Sequence, residues 1–265
     1  MLLQDRVAVI HGGGGAIGGA SARAFAREGA EIFLAGRTLD RLERVAADIR
    51  SEGGRVTVDV VDAQDEAAVN DHADRVAAKA GGIDIALNAV SIEHRQGNPL
   101  AEVDLQEFEH TIGANLRTNF LTARAAARHM RLRGRGVILT LTAPGSQIKS
   151  PGFLAHGVAC GAIETFSRLL AVEAGGFGVR VICLRMDAIP DAVPLSYTRG
   201  LFDEMTRRFG TTTEAWLESH AQQDTLLGRL PRLEQVADYA AFVASDRAGA
   251  MTGALANLTC GSVLD

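Results

Sequence analysis

Residues 7–19 read VAVIHGGGGAIGG, an apolar run that passes into a glycine cluster and then into the start of a helix. Val7, Ala8, Val9 and Ile10 form the short continuous apolar pattern of a strand buried on both faces of a parallel sheet. The glycines at 12–15 let the backbone turn sharply and approach a phosphate closely. Ala16 to Arg27 are helix-forming residues whose first free N–H groups would face that phosphate. A pyrophosphate fits this arrangement, although a glycine-rich strand-to-helix turn also occurs as a purely structural device.

Outward from this stretch, strand-like runs recur at 31–34, 56–60, 83–87, 137–141, 179–184 and 254–258, with long helical patterns between them. Alternating strands and helices predict an α/β fold with a doubly wound parallel sheet of about seven strands, Rossmann-like, with helices on both faces. Ligands of such a sheet bind beyond the carboxyl ends of its strands, where the glycine turn lies. At 265 residues and 47% hydrophobic, the chain is expected to form a single dinucleotide-binding domain over 1–265. Within it, residues 186–232 are irregular, with Pro190, Pro194 and Pro231 around two short helical patterns. This insertion is expected to cover the substrate as a lid, moderately polar and with few aromatics, from which Tyr197 presents a phenol.

The net charge of −5 comes from interspersed acids and bases, which gives neither the basic stripe of a nucleic-acid binder nor a polybasic membrane patch. The absence of a leader-like start or a bilayer-length apolar segment leads to the expectation of a cytoplasmic protein. Cys160, Cys183 and Cys260 are too few and wrongly spaced for a disulfide framework or a four-cysteine zinc site, so no metal is expected.

Ala35-Gly36-Arg37 follows the second strand, where a dinucleotide fold meets the adenosine ribose. A carboxylate there would bond a free 2′-hydroxyl and repel a 2′-phosphate. Arg37 instead pairs with phosphate, which favours NADP(H) over NAD(H). Asp59 and Val60 end the third strand, where they either bracket the adenine or lead into a helix cap.

These features resemble the short-chain dehydrogenase/reductase family. The family's glycine motif appears as Gly12-x-x-x-Ala16-Ile17-Gly18, its segment after the fourth strand as Asn88-Ala89-Val90-Ser91, and its helix-four asparagine as Asn115 in GANLRTNF. LGRLPRLEQVADYAAFVASDRAGAMTG also follows the family closely. The resemblance implies hydride exchange between NAD(P)(H) and an alcohol or carbonyl, with Gly12, Gly14, Gly15, Ile17, Gly18, Arg37, Asp59, Val60, Asn88 and Ala89 holding the cofactor. It also implies a homo-oligomer, dimer or tetramer, formed through the fourth and fifth helices and the last strand. The helix pattern over 104–130 has the apolar and small residues for this.

The family's proton chemistry rests on a serine after the fifth strand and a Tyr-x-x-x-Lys beginning thirteen residues later. Here Ala143 stands at the serine position, preceded by Thr142, with His156 at the tyrosine and Cys160 at the lysine. The Pro-Gly after the sixth strand is Met186-Asp187. Without the lysine a tyrosine would work poorly, whereas a histidine has an ordinary pKa near ~6.5 and needs no neighbouring ammonium. The expected catalytic set is therefore His156, Thr142, Asn115 and Cys160, with Ser146 as an alternative hydroxyl. Cys160 cannot replace the lysine's hydrogen bonds to the nicotinamide ribose. His156 and Cys160 also have the i, i+4 spacing of two metal ligands, but no third is evident. Two other readings stay open: a catalytically silent subunit assembled with an active related chain, and a non-redox enzyme in the inherited cleft.

Overall fold

The computed structural model describes residues 1–265. Seven strands form one sheet in the order β3-β2-β1-β4-β5-β6-β7. They are β1 (Val7–His11), β2 (Glu31–Gly36), β3 (Arg55–Val60), β4 (Ile85–Asn88), β5 (Gly136–Thr142), β6 (Val179–Met186) and β7 (Ala254–Leu258), and every pairing is parallel. The chain winds outward from β1 in both directions, so the sheet's switch point lies between β1 and β4, and the glycine turn opens there.

Both faces of the sheet are covered because the strands are apolar on both sides. Ala8 and Ile10 pack with α1 (Ala16–Arg27), α2 (Leu39–Ser51) and α8 (Leu233–Ala244). Val7 and Val9 pack with α3 (Glu66–Ala80), α4 (Leu105–Arg133) and α5 (Leu154–Gly175). Alternate residues of one strand thus enter two separate cores, the two-residue period of a central parallel strand.

Helix starts follow local chemistry. Asp65 accepts from the N–H groups of Ala67 and Ala68 to cap α3, and Asp104 accepts from Gln106 and Glu107 to cap α4. The helix start at α1 differs: its N-cap is Gly15, no side chain caps it, and its first turn carries no acidic residue. The region 186–232 folds into α6 (Thr198–Arg208) and α7 (Thr213–Asp224), matching its two helical patterns. No helix is long and apolar enough to cross a membrane.

Candidate active site

A cleft of about 1460 Å³ runs along the carboxyl ends of the strands. Its walls come from the glycine turn, the loops after β2 to β6, and α6 and α7. At one end Gly12, Gly14, Gly15, Ile17, Arg37 and Ala89 all line it. Gly12 has φ +77°, and a Cβ there would lie 2.3 Å from the Ala89 carbonyl oxygen. A Cβ on Gly18 would lie 2.4 Å from the Gly12 carbonyl oxygen, so only glycine allows α1 to approach the turn this closely. Gly18 therefore shapes the cradle from behind. Asn88 does likewise: it is buried, accepts from the Val90 N–H at 3.0 Å and donates to Thr118 Oγ1 at 3.4 Å.

Asp59 and Val60 do not reach the cleft, contrary to the sequence expectation. Asp59 faces α3, where Arg75 approaches it at 3.3 Å and His72 at 3.6 Å, and the Val60 side chain is exposed. Val61, Asp62 and Ala63, just past the strand, line the cleft instead. Beyond β2, Arg37 is joined by Arg41, which the sequence reading missed. Arg41 lies against Gly14 one turn into α2; both guanidinium groups are exposed, and neither forms an ion pair.

At the other end β5 and α5 bring Thr142, His156 and Cys160 together. The Thr142 hydroxyl donates to the Cys160 carbonyl oxygen at 3.3 Å, and His156 Nε2 lies 3.6 Å from Cys160 Sγ. Ser146 turns away and donates to Glu164 at 3.1 Å, so it leaves the cleft to Thr142. Glu164 is itself paired with the buried Arg185 at 3.2 Å. Asn115 lines the cleft with its amide donating to the Thr111 carbonyl oxygen at 2.7 Å. Cys183 is a buried residue of β6.

His94 and His220 were not singled out from the sequence, and each anchors a group here; Tyr197, expected as the lid's phenol, joins the first. His94, from the loop after β4, stacks on His156 with ring centroids 5.0 Å apart and planes 4° apart. Its Nδ1 is 2.9 Å from the Ile92 carbonyl oxygen and its Nε2 is 3.0 Å from the Gln96 amide nitrogen. This sets one neutral tautomer, with Nδ1–H donating and Nε2 accepting. Tyr197, at the start of α6, donates to the same Ile92 carbonyl at 3.0 Å. Burial lowers the pKa of His156 to about 4. Burial, reinforced by His156, does the same to His94. Burial raises the Cys160 thiol, so near neutrality this pocket holds two neutral imidazoles and a neutral thiol.

The second group is ionic. Asp187, directly after β6, accepts from Ser262 Oγ and lies 3.0 Å from His220 Nε2, while Asp224 lies 2.9 Å from His220 Nδ1. The hydrogen bond to Asp187 is the largest effect raising the His220 pKa, to about 9. Trp216 stacks on this imidazolium with centroids 5.2 Å apart and planes 9° apart. His220 and Asp224 have visible i, i+4 spacing on α7, but their union with Asp187 depends on how the lid region folds back.

Residues 14–262 match the family model described as enoyl-(acyl carrier protein) reductase. Gluconate 5-dehydrogenase of Gluconobacter oxydans (strain 621H) is 30% identical over 68% of this chain and 69% of its own length. The 7alpha-hydroxysteroid dehydrogenase of Clostridium sardiniense is 28% identical over 99% of this chain and 95% of its own. Among solved structures, levodione reductase superimposes with a TM-score of 0.85 at 26% identity, covering 97% of each chain. NAD+-bound xylitol dehydrogenase has the same fold, with a TM-score of 0.90 at 21% identity over 98% of this chain and 100% of that one. With the family model spanning residues 14–262 and a dehydrogenase relative matching 99% of the chain, across the glycine cradle and sheet order described above, the chain belongs to the short-chain dehydrogenase/reductase family.

Proposed function

We propose that this chain is an NADP(H)-dependent oxidoreductase that interconverts a carbonyl and an alcohol, with His156 in place of the family's tyrosine. The observation that carries the cofactor assignment is the pair of unpaired guanidinium groups, Arg37 and Arg41, beside the glycine cradle. The uncapped start of α1 and the absence of a first-turn acid suit a pyrophosphate, and Arg37 with Arg41 suits an added 2′-phosphate. Asp62 and Ala63 form the adenine wall.

When bound, the nicotinamide supplies or accepts the hydride. As a carbonyl is reduced, its oxygen would need a proton, which the His156 imidazolium gives, becoming neutral and recharging from solvent. The neutral Cys160 thiol faces Nε2, so the substrate proton passes through Nδ1. Thr142 orients the oxygen. Oxidation runs the same steps in reverse. Residues 186–232 act as the lid, fastened to the body by Tyr197 on the Ile92 carbonyl and by Ser262 on Asp187, and drawn back on its own root by His220 against Asp187. Exposed Phe120 on α4 and Leu169 and Val172 on α5 support pairing of identical copies through these helices.

Calorimetric titration tests the assignment. NADPH should bind saturably and more tightly than NADH, and Arg37→Ala and Arg41→Ala should each weaken NADPH about tenfold with little effect on NADH. Equal binding of the two nucleotides overturns the NADP(H) preference, and binding of neither overturns the redox reading.

A further inference from the structure

We infer that the substrate is a carbonyl compound, or the corresponding alcohol, built on an apolar ring skeleton with one polar reacting group. This rests on the oxidoreductase reading above. A cleft of about 1460 Å³ exceeds the roughly 300–1,000 Å³ of a pocket for one small ligand, so substrate has room beside a cofactor.

The cleft walls carry two aromatic series, one of which includes His156. One runs from His156 through His94 to Tyr197, with centroid separations of 5.0 and 6.2 Å. The other runs from His220 through Trp216 to Phe202, each step 5.2 Å. Phe153, Phe209, Ile189 and Leu195 complete an apolar lining. The lid region is thus richer in ring surface at the cleft than its composition suggested, because its few aromatics converge there.

The hydrogen-bonding capacity of these walls is already used. The Tyr197 hydroxyl and His94 Nδ1 are spent on the Ile92 carbonyl, and His94 Nε2 on Gln96. Both His220 nitrogens are held by carboxylates, and Ser196 and Thr198 bond each other. Among these side chains the ring nitrogen left without a partner is His156 Nδ1, and the Thr142 hydroxyl beside it is held by a long 3.3 Å bond to the Cys160 carbonyl, so this is where one oxygen is received. A polyol would bury several hydroxyls without partners, each a lost hydrogen bond to water. Glu93, Gln147, Lys149 and Ser150 are exposed at the rim. The imidazolium of His220 is neutralised by Asp187 and Asp224, which leaves no interior cation for a carboxylate or phosphate substrate.

Trp216 is the only tryptophan in the chain, so its fluorescence reports occupancy of this wall without turnover. The intact protein would be titrated with 1-decalone, a saturated bicyclic ketone, and separately with sorbitol and with its ketose, in the presence and absence of NADPH. Decalone should change the emission saturably and sorbitol should not. Phe209→Ser, at an exposed position on the cleft lip, should weaken the decalone response about tenfold. No decalone response, or sorbitol binding at the same or lower concentration, overturns the substrate class. NADPH oxidation read in the same samples separates the two proposals. Decalone binding without NADPH oxidation keeps the apolar ring-binding wall and overturns reduction of that ketone by this site. Turnover of sorbitol's ketose, with decalone neither bound nor reduced, keeps the redox reading and overturns the substrate class.

Discussion

His156→Ala is expected to lower carbonyl reduction by about 10²–10⁴-fold while leaving NADPH affinity unchanged, because the residue lies at the reacting end and not in the glycine cradle. The distinctive readout is the pH profile. With a pKa near 4, His156 is charged in about one molecule in a thousand at pH 7, and that fraction grows about tenfold for each unit of acid. kcat/KM for reduction should therefore rise about a hundredfold between pH 7 and pH 5, and the alanine variant should lose this dependence. A flat wild-type profile, or a loss below tenfold in His156→Ala, would show that another group donates the proton. Thr142→Val, which keeps shape but removes the hydroxyl, should lower the rate without changing the profile.

The aspartates at 59, 62 and 65 show why some of this site was legible in the sequence and some was not. All three follow an apolar run at three-residue spacing, and each is a plausible strand end or helix cap. Only the folded hydrogen bonds separate them: Asp59 turns to Arg75 and His72, Asp62 accepts from Gln64 in the loop, and Asp65 caps α3. The glycine turn was readable because its requirements are local, set by a sharp turn and by backbone approach at Gly12 and Gly18. His156, Thr142 and Cys160 were named only through the family's motif positions, and the fold brings the three side by side where β5 meets α5. Tyr197 meets His94 across 103 residues, and His220 meets Asp187 across 33, so no local pattern marks either pair. Arg41 was obscured because a second arginine one helical turn beyond Arg37 reads as an ordinary exposed position on an amphipathic helix.

Stability should fall steeply in mild acid, since the groups that dry the reacting end also resist protonation. His11 is fully buried at the end of β1, edge-on to His72 with centroids 5.6 Å apart, and no ring nitrogen of either residue has a hydrogen-bond partner. Burial, then the neighbouring His72, lowers His11 to about 3, and burial lowers His94 and His156 to about 4. In the unfolded chain all three titrate near 6.5, so between pH 6.5 and 4 the unfolded state binds more protons than the folded one. Their contribution is complete above pH 6.5 and shrinks as the pH falls, by about 2 kcal/mol for each residue at pH 5. His220 acts in the opposite sense: its raised pKa favours the folded state most below pH 6.5, and that contribution is lost as pH rises through about 9. It offsets only a small part of the acid loss. Urea unfolding at pH 7 and pH 5 should therefore differ by about 4–5 kcal/mol, a large share of the roughly 5–15 kcal/mol that holds a domain together. His11→Val and His156→Ala should each recover about 2 kcal/mol of that difference, whatever either substitution does to stability at pH 7. Comparing each variant with itself at two pH values cancels the packing change and isolates the proton. An unchanged difference in both variants would place the acid sensitivity elsewhere. A reduced difference in His156→Ala would tie part of the fall in stability to the same imidazole whose protonation makes reduction faster in acid, so observed activity should peak where protonation of His156 in the folded enzyme is overtaken by unfolding.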